Sequence, residues 1–304
     1  MTQEVYHIPA LLSETIGLLD VKPDGIYVDA TYGGGGHSRA IADLLGSDGH
    51  LFAFDQDSDA IARAVPHDRI TLVHANFRYM ADFLRFYGVE GRVDGILADL
   101  GVSFHHFDDG ARGFSFRSPE GSLDMRMNRG QTLTAADLLN NAPAEKLTEI
   151  FRLYGELKNA PRIAAAIVKA RETAPFATIA QLTDTVTPLL QRGREKKELA
   201  PLFQALRIEV NDEMGALREF LGECAPVLRP GGRLAVITYQ SLEDRMVKNL
   251  MRSGNIYGTT TTDIYGRTDT PWKLVSRKPV VPTDEEVERN PRSRSAKLRV
   301  AERI

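Results

Sequence analysis

Four consecutive glycines, Gly33 to Gly36, stand between a short apolar run, Ile26-Tyr-Val-Asp-Ala, and a stretch of helical character, Ser38 to Leu45. Glycine lets a backbone turn tightly from strand to helix and lets a ligand approach the main chain within contact distance. Three more apolar runs follow: Leu51-Phe-Ala-Phe-Asp, Ile70-Thr-Leu-Val-His and Val93-Asp-Gly-Ile-Leu-Ala-Asp, each with a polar residue near its carboxyl end. Runs that are apolar throughout, separated by helical stretches, describe parallel strands buried on both faces. The predicted fold is therefore α/β, with a doubly wound, mostly parallel sheet.

Between about Thr132 and Arg207 the pattern changes. Leu133 to Asn140, Ala144 to Leu153, Pro161 to Thr173 and Ile179 to Leu190 carry apolar residues at helical spacing, with no comparable strand among them. Strand character returns at Arg233-Leu-Ala-Val-Ile-Thr-Tyr, after a turn at Pro230-Gly231-Gly232, and again from Trp272 to Val281. The economical reading is one discontinuous α/β domain, residues 1–110 and 206–304, with a helical insertion at 111–205.

A chain of 304 residues can bury its own core. Cys224 is the sole cysteine, so neither an intrachain disulfide nor a multi-thiolate metal site can form, as suits a reducing cytoplasm. No metal is called for. The first residues do not read as a signal peptide and no apolar stretch is long enough to span a bilayer, so a cytoplasmic protein without a membrane partner is expected. A net charge of −3 argues against a general polyanion binder. Local basic clusters remain, at Arg192, Arg194, Lys196 and Lys197 and in the tail at Arg289, Arg292, Arg294, Lys297, Arg299 and Arg303, and either reads equally as a solvated surface.

The glycine run does not fit the dinucleotide fingerprint. Counted from Gly33 the last glycine becomes Ser38, and counted from Gly34 it becomes Arg39, which disfavours a pyrophosphate. Asp55 closes the second strand about 20 residues on, where a carboxylate can accept both ribose hydroxyls. Asp29 would repel a phosphate but tolerate a sulfonium or ammonium group. Together these features favour S-adenosylmethionine over NAD. Phe77 and Asp99 follow the third and fourth strands and should open onto the same crevice, Phe77 against an adenine and Asp99 beside a reactive methyl group.

Asp29-Ala-Thr-Tyr-Gly-Gly-Gly-Gly-His-Ser, Asp99-Leu-Gly-Val-Ser, Gly113-Phe-Ser-Phe, Leu123-Asp-Met-Arg-Met, Tyr154-Gly-Glu, Phe203-Gln-Ala-Leu-Arg-Ile-Glu-Val-Asn, Ser241-Leu-Glu-Asp-Arg and Asn290-Pro-Arg-Ser-Arg-Ser resemble the bacterial 16S ribosomal RNA cytosine-N4 methyltransferases, the MraW or RsmH family. The blocks come in family order from about His7 to Arg303. The resemblance implies a Rossmann-like S-adenosylmethionine-dependent methyltransferase with an inserted helical domain for RNA recognition. It implies a substrate amine on cytidine 1402 of 16S rRNA, met as naked RNA or within the 30S subunit, and leaves open a homodimer. Cofactor contacts would fall on Gly35, Gly36, His37, Asp55, Phe77, Asp99 and His106, with Asp99 also catalytic. Two blocks depart from the family pattern: Ser103-Phe104-His105-His106 replaces Ser-Ser-Pro-Gln, and Tyr239-Gln240 replaces Phe-His.

A cytidine must leave its stack to react, and aromatic faces commonly hold a displaced base. Phe104, Phe107, Phe114 and Phe116 are candidates for that role or for ordinary packing. Asp124, Arg126 and Arg129 are candidates for base or phosphate contact or for internal ion pairs. A DNA amino-methyltransferase fits the glycine turn but would show Pro-Pro after Asp99, where Leu100-Gly101-Val102 stands. A non-catalytic ribosome-assembly factor and a nicotinamide oxidoreductase are the weaker alternatives.

Overall fold

The computed structural model describes residues 9–101, 109–260 and 270–304. Two compact units partition the chain: residues 1–101 with 214–304, and residues 102–213.

The first unit opens with α1 (Leu12–Leu19). It continues through β1 (Ile26–Asp29), α2 (Gly36–Ala42), β2 (His50–Asp55), α3 (Ser58–Arg63), β3 (Ile70–His74), α4 (Met80–Phe86) and β4 (Val93–Leu100). In the second unit lie α5 (Ala135–Asn141), α6 (Ala144–Leu153), α7 (Ala160–Arg171), α8 (Ile179–Val186) and α9 (Glu195–Val210). The chain then runs through α10 (Glu213–Val227), β5 (Leu228–Thr238), α11 (Ser241–Ser253), β6 (Trp272–Leu274), α12 (Asp284–Arg289) and β7 (Lys297–Arg303).

The seven strands form one sheet in the order β3-β2-β1-β4-β5-β7-β6. β3, β2, β1, β4 and β5 are parallel neighbours, and β7 joins β5 and β6 antiparallel. The order reverses beside β1, between β2 and β4, so the crevice outside the carboxyl ends of β1 and β4 is the switch point where ligands of open α/β sheets bind. Tyr27, Val28, Ile96 and Leu97 are fully buried there, as strands covered on both faces require.

Four details differ from the sequence expectation. Pro230-Gly231-Gly232 lies within β5 rather than before it: Leu228 pairs with Val93 and Arg233 with Gly95, so the extra residues bulge out of the ladder. The strand expected from Trp272 to Val281 is confined to β6, with a single bridge from Val280 to Leu298. From Lys297 the supposed basic tail is an ordered strand, β7, whose Leu298, Val300 and Ala301 are buried, while Arg289 ends α12 and Arg292 and Arg294 lie in a 3-10 turn between α12 and β7. The unit boundaries fall at 101/102 and 213/214 rather than at 110/111 and 205/206. A cut at 205/206 would sever α9, whose Leu199, Leu202, Phe203, Ala205 and Leu206 belong to the core of the helical unit.

That helical core explains its own sequence pattern. Thr134 and Thr178 cap α5 and α8, each accepting from the backbone N–H three residues on, which starts those helices at the residue after the threonine. Leu147, Ile150 and Phe151 of α6 and Ile163, Ala164 and Ile167 of α7 fall on the buried stripes.

Candidate active site at the carboxyl ends of β1, β4 and β5

The glycine run is held in shape by the acid that closes β2. Gly33 N–H donates to Asp55 Oδ2 at 2.8 Å, and Asp57 N–H donates to Asp55 Oδ1 at 2.8 Å. Gly33 and Gly35 have φ of 52° and 74°, the left-handed region that side chains resist. A Cβ on Gly35 would lie 2.6 Å from the Tyr32 hydroxyl. Asp55 therefore shapes the glycine turn directly.

Asp29, at the end of β1, is 1% exposed. Ser38 Oγ donates to its Oδ2 at 2.6 Å, and Thr31 N–H donates to its Oδ1 at 3.0 Å. Burial raises its pKa above the ordinary carboxylate value, with the Ser38 hydrogen bond opposing. Thr31 also ties β1 to β4, because its Oγ1 accepts from Asp99 N–H at 2.7 Å.

Asp99, near the end of β4, is pushed up to about 6 by burial, against a hydrogen bond from Tyr239 that pulls it down. Its Oδ2 lies 3.8 Å from His37 Nδ1, and its side chain is 18% exposed. His37, 6% exposed, sits in the first turn of α2. Burial holds its pKa below the usual value although the Asp29 charge and a backbone hydrogen bond at Ala10 favour protonation. A neutral imidazole carries one N–H donor and one lone-pair acceptor. Tyr239, which follows β5, has its phenol raised far above the ordinary value by burial first and by the Asp99 charge second.

Sequence reasoning did not single out the neighbour of Tyr239, Gln240, as a site residue. Gln240 Nε2 donates to Glu243 Oε1 at 2.8 Å, and Glu243 Oε2 accepts the main-chain N–H of Tyr239 and of Gln240 at 3.0 and 3.3 Å. Glu243 is 4% exposed and in the first turn of α11, where a carboxylate is favoured. The signal available in sequence was the break from the family's Phe-His at this place.

Among the described residues, two buried atoms at this end of the sheet have no hydrogen-bond partner, His37 Nε2 and Asp99 Oδ1, and neither Asp29 nor Asp99 has a Lys or Arg among the charges acting on it. Unsatisfied buried acceptors cost about 1–3 kcal/mol each, so the set is built for a ligand rich in N–H donors and poor in negative charge. An ammonium or amine fits it, whereas a pyrophosphate does not. Such an arrangement fits S-adenosylmethionine, whose amino and sulfonium groups are cationic.

Phe77 is half-buried and meets Phe220 edge to face, with ring centroids 5.3 Å apart. His106, Phe104 and Phe107 lie outside the described residues. Phe114 is 5% exposed, and Phe116 packs on the helical core against Phe203 at 5.7 Å, so both are packing residues. Asp124 and Arg126 pair with each other at 2.8 Å, and Arg129 lies 4.0 Å from Asp109. Their loop is fixed from behind by Asn211, which accepts from Met127 N–H at 2.7 Å and donates to the Met125 carbonyl at 2.8 Å. In β7, Arg299 is paired with Asp244 at 2.7 Å, and Arg303 donates to the Leu228 carbonyl. Arg192, Arg194, Lys196 and Lys197 are exposed around the start of α9. Among the described residues there is no cluster that could hold a metal ion, and no helix is long and apolar enough to cross a membrane.

A parallel sheet with an antiparallel β7 inserted next to its edge, a glycine turn after β1, an acid after β2 and an acceptor-lined crevice beside β4 define a methyltransferase that uses S-adenosylmethionine. Comparison narrows this further: residues 4–304 match the MraW methylase family, and the chain belongs to that family. A protein of Phocaeicola vulgatus named ribosomal RNA small subunit methyltransferase H is 58% identical over 99% of this chain and 98% of its own length. The protein of the same name from Parabacteroides distasonis is 57% identical over 98% of each chain. Among solved structures, an rRNA methylase from Streptococcus thermophilus aligns with 12% identity over 100% of this chain and 99% of its own, at a TM-score of 0.38.

Proposed function

We propose that this enzyme methylates small-subunit ribosomal RNA, and that its target is the exocyclic N4 amine of cytidine 1402 in 16S rRNA. The substrate class rests on the names of relatives more than half identical over nearly their whole length. The amine rests on the resemblance in sequence, and Asp99, whose buried Oδ1 has no partner among the described residues, is the acceptor that supports it.

Bound S-adenosylmethionine supplies an electrophilic methyl group on a sulfonium, with a neutral thioether as leaving group. The cytosine amine is a weak nucleophile because its lone pair is delocalised into the ring, so this chain must position and deprotonate it. Asp99 accepts an N–H of the amine and takes its proton once the new N–C bond has formed. A carboxylate titrating at about 6 is mostly ionised at pH 7 yet basic enough to receive that proton. Thr31, Tyr239 and the neutral His37 hold Asp99 in place. Aligning the two reactants in this way is worth up to about 7–11 kcal/mol, so position outweighs any one acid or base.

In this reading the helical unit, residues 102–213, recognises RNA through Arg192, Arg194, Lys196 and Lys197. Lys196 and Lys197 lie exposed in the first turn of α9, between Glu195 and Glu198.

The deciding experiment is transfer of labelled methyl to 30S particles and to naked 16S rRNA lacking the modification, followed by nucleoside analysis. N4-methylcytidine from the wild type and none from Asp99→Ala supports the proposal. No transfer to either substrate refutes it and favours a non-catalytic assembly role.

A further inference from the structure

The cations of the first unit are spread unevenly. From Arg245 to Thr260 there are three cations and no acid, and from Arg289 to Ala301 five cations and no acid, in a chain whose net charge is −3. Arg245, Lys248 and Arg252 recur at spacings of three and four, so they form one stripe about 10 Å long on α11. The opposite side of that helix is buried through Glu243, Val247, Leu250 and Met251.

The two segments meet at Asp244. Its carboxylate pairs with Arg299 at 2.7 Å and lies 3.9 Å from Lys297, and the charge of Lys248, one turn further along α11, also acts on it. One carboxylate thus faces three cations, and α11 and β7 share a surface of net positive charge. Arg245, Arg252 and Arg294 are exposed and make no hydrogen bond or ion pair among the described residues.

Strand register sets one end of this surface beside the candidate active site. Asp99 pairs with Ile237 and Leu100 with Thr238 across β4 and β5, and Thr238 pairs with Lys297 across β5 and β7. Two strand spacings put Lys297 about 10 Å from Leu100. The turn Pro291–Ser295, which carries Arg294, leads into Lys297 from the same end of the sheet. A nucleotide drawn out of its stack into that crevice stays joined to a phosphate on each side, and those phosphates must rest on the rim.

We propose that Arg294, Lys297, Arg245, Lys248 and Arg252 form a track for the RNA backbone, holding phosphates of the substrate strand next to the target nucleotide. The inference rests on the rRNA methylation reading above, and it gives the methyltransferase unit a grip on RNA separate from the basic cluster of the helical unit. Such a track reads no bases; it fixes where the strand lies, and the affinity it supplies falls with salt.

The test follows binding of a fluorescein-labelled single-stranded fragment of 16S rRNA through a salt series. Wild type is compared with Arg245→Gln/Arg252→Gln, with Arg294→Gln, and with a control, Lys22→Gln/Arg92→Gln, which loses its charges just ahead of β1 and β4, at the far end of the sheet. The stripe variant should flatten the slope of log affinity against log salt by about 1.4, and Arg294→Gln by about 0.7, each lost contact with a single strand being worth about 0.7. Both should raise KM for methyl transfer more than they change kcat, with S-adenosylhomocysteine affinity and melting temperature at wild-type values, and the control should keep the wild-type slope. An unchanged slope in the stripe variant and in Arg294→Gln, or an equal loss in the control, overturns the track and leaves the methylation reading standing. Failure of that reading shows separately, as a wild type that transfers no methyl to 30S particles, and it takes this inference with it.

Discussion

Replacing Asp99 by Asn should make the protein more stable and catalytically almost inert. The carboxyl titrates at about 6 in the fold against an ordinary 3.8, with burial the main cause. The folded state therefore holds this proton more tightly than the unfolded chain does. Stability contributed by the neutral form is complete below about pH 4, declines as pH rises through 6, and is gone above it. The gap between the two values corresponds to about 3 kcal/mol, an upper bound for the cost of keeping Asp99 charged at pH 8. Asparagine retains the shape and the main-chain bond to Thr31 without the charge. Melting of the cofactor-free protein should thus show Asp99→Asn above wild type at pH 8, by about 2–4 °C for each kcal/mol recovered, and level with it near pH 4. Methyl transfer at pH 7 should fall about 10²–10⁴-fold, the usual worth of a positioned base. A melting difference that is the same at pH 4 and pH 8 would refute the argument that burial strains this carboxylate.

Tyr239→Phe removes a hydrogen bond to a charged group, worth about 1.5–3 kcal/mol, and should move the acidic limb of the rate profile up by about 1–2 pH units with little change at pH 9; an unmoved limb would mean the phenol does not tune Asp99. Gly35→Ala forces a side chain into the left-handed region and against the Tyr32 hydroxyl, so calorimetry should find weakened S-adenosylhomocysteine binding and denaturant titration a loss of about 1–2 kcal/mol. Asn211→Ala removes the bonds that Asn211 makes to the Met127 N–H and the Met125 carbonyl, at a cost of about 1–3 kcal/mol for the carbonyl of the fully buried Met125, measurable by urea unfolding. Reversing the charge at Arg194 and Lys197 together should weaken RNA binding and flatten its dependence on salt, while affinity unchanged across a salt series would remove α9 from the RNA surface.

How much of this was legible beforehand differs by element. β1 through β4 were readable because a strand buried on both faces is apolar throughout, and the helices between Ala135 and Val186 because a buried stripe repeats at helical spacing. β7 was not readable: its buried Leu298, Val300 and Ala301 are interleaved with lysine and arginine, a pattern that a solvated tail shares. The bulge in β5 was hidden for a similar reason, since Pro-Gly-Gly is ordinarily a turn.

The sequence by itself determined the class of protein and the region where its candidate site lies. Glycines in an unbroken run, an acid at a set distance and Asp99 after a fourth apolar segment are local signals, written in residues whose conformational or chemical needs are unlike those of their neighbours. Only the tertiary structure decided what those residues do to one another. Burial strains Asp99, Tyr239 relieves it, Glu243 orients Gln240, and Asp244 withdraws Arg299 from solvent. Each of these depends on the distance between side chains far apart in the chain and on the water excluded around them, and neither quantity can be read along a single strand of letters.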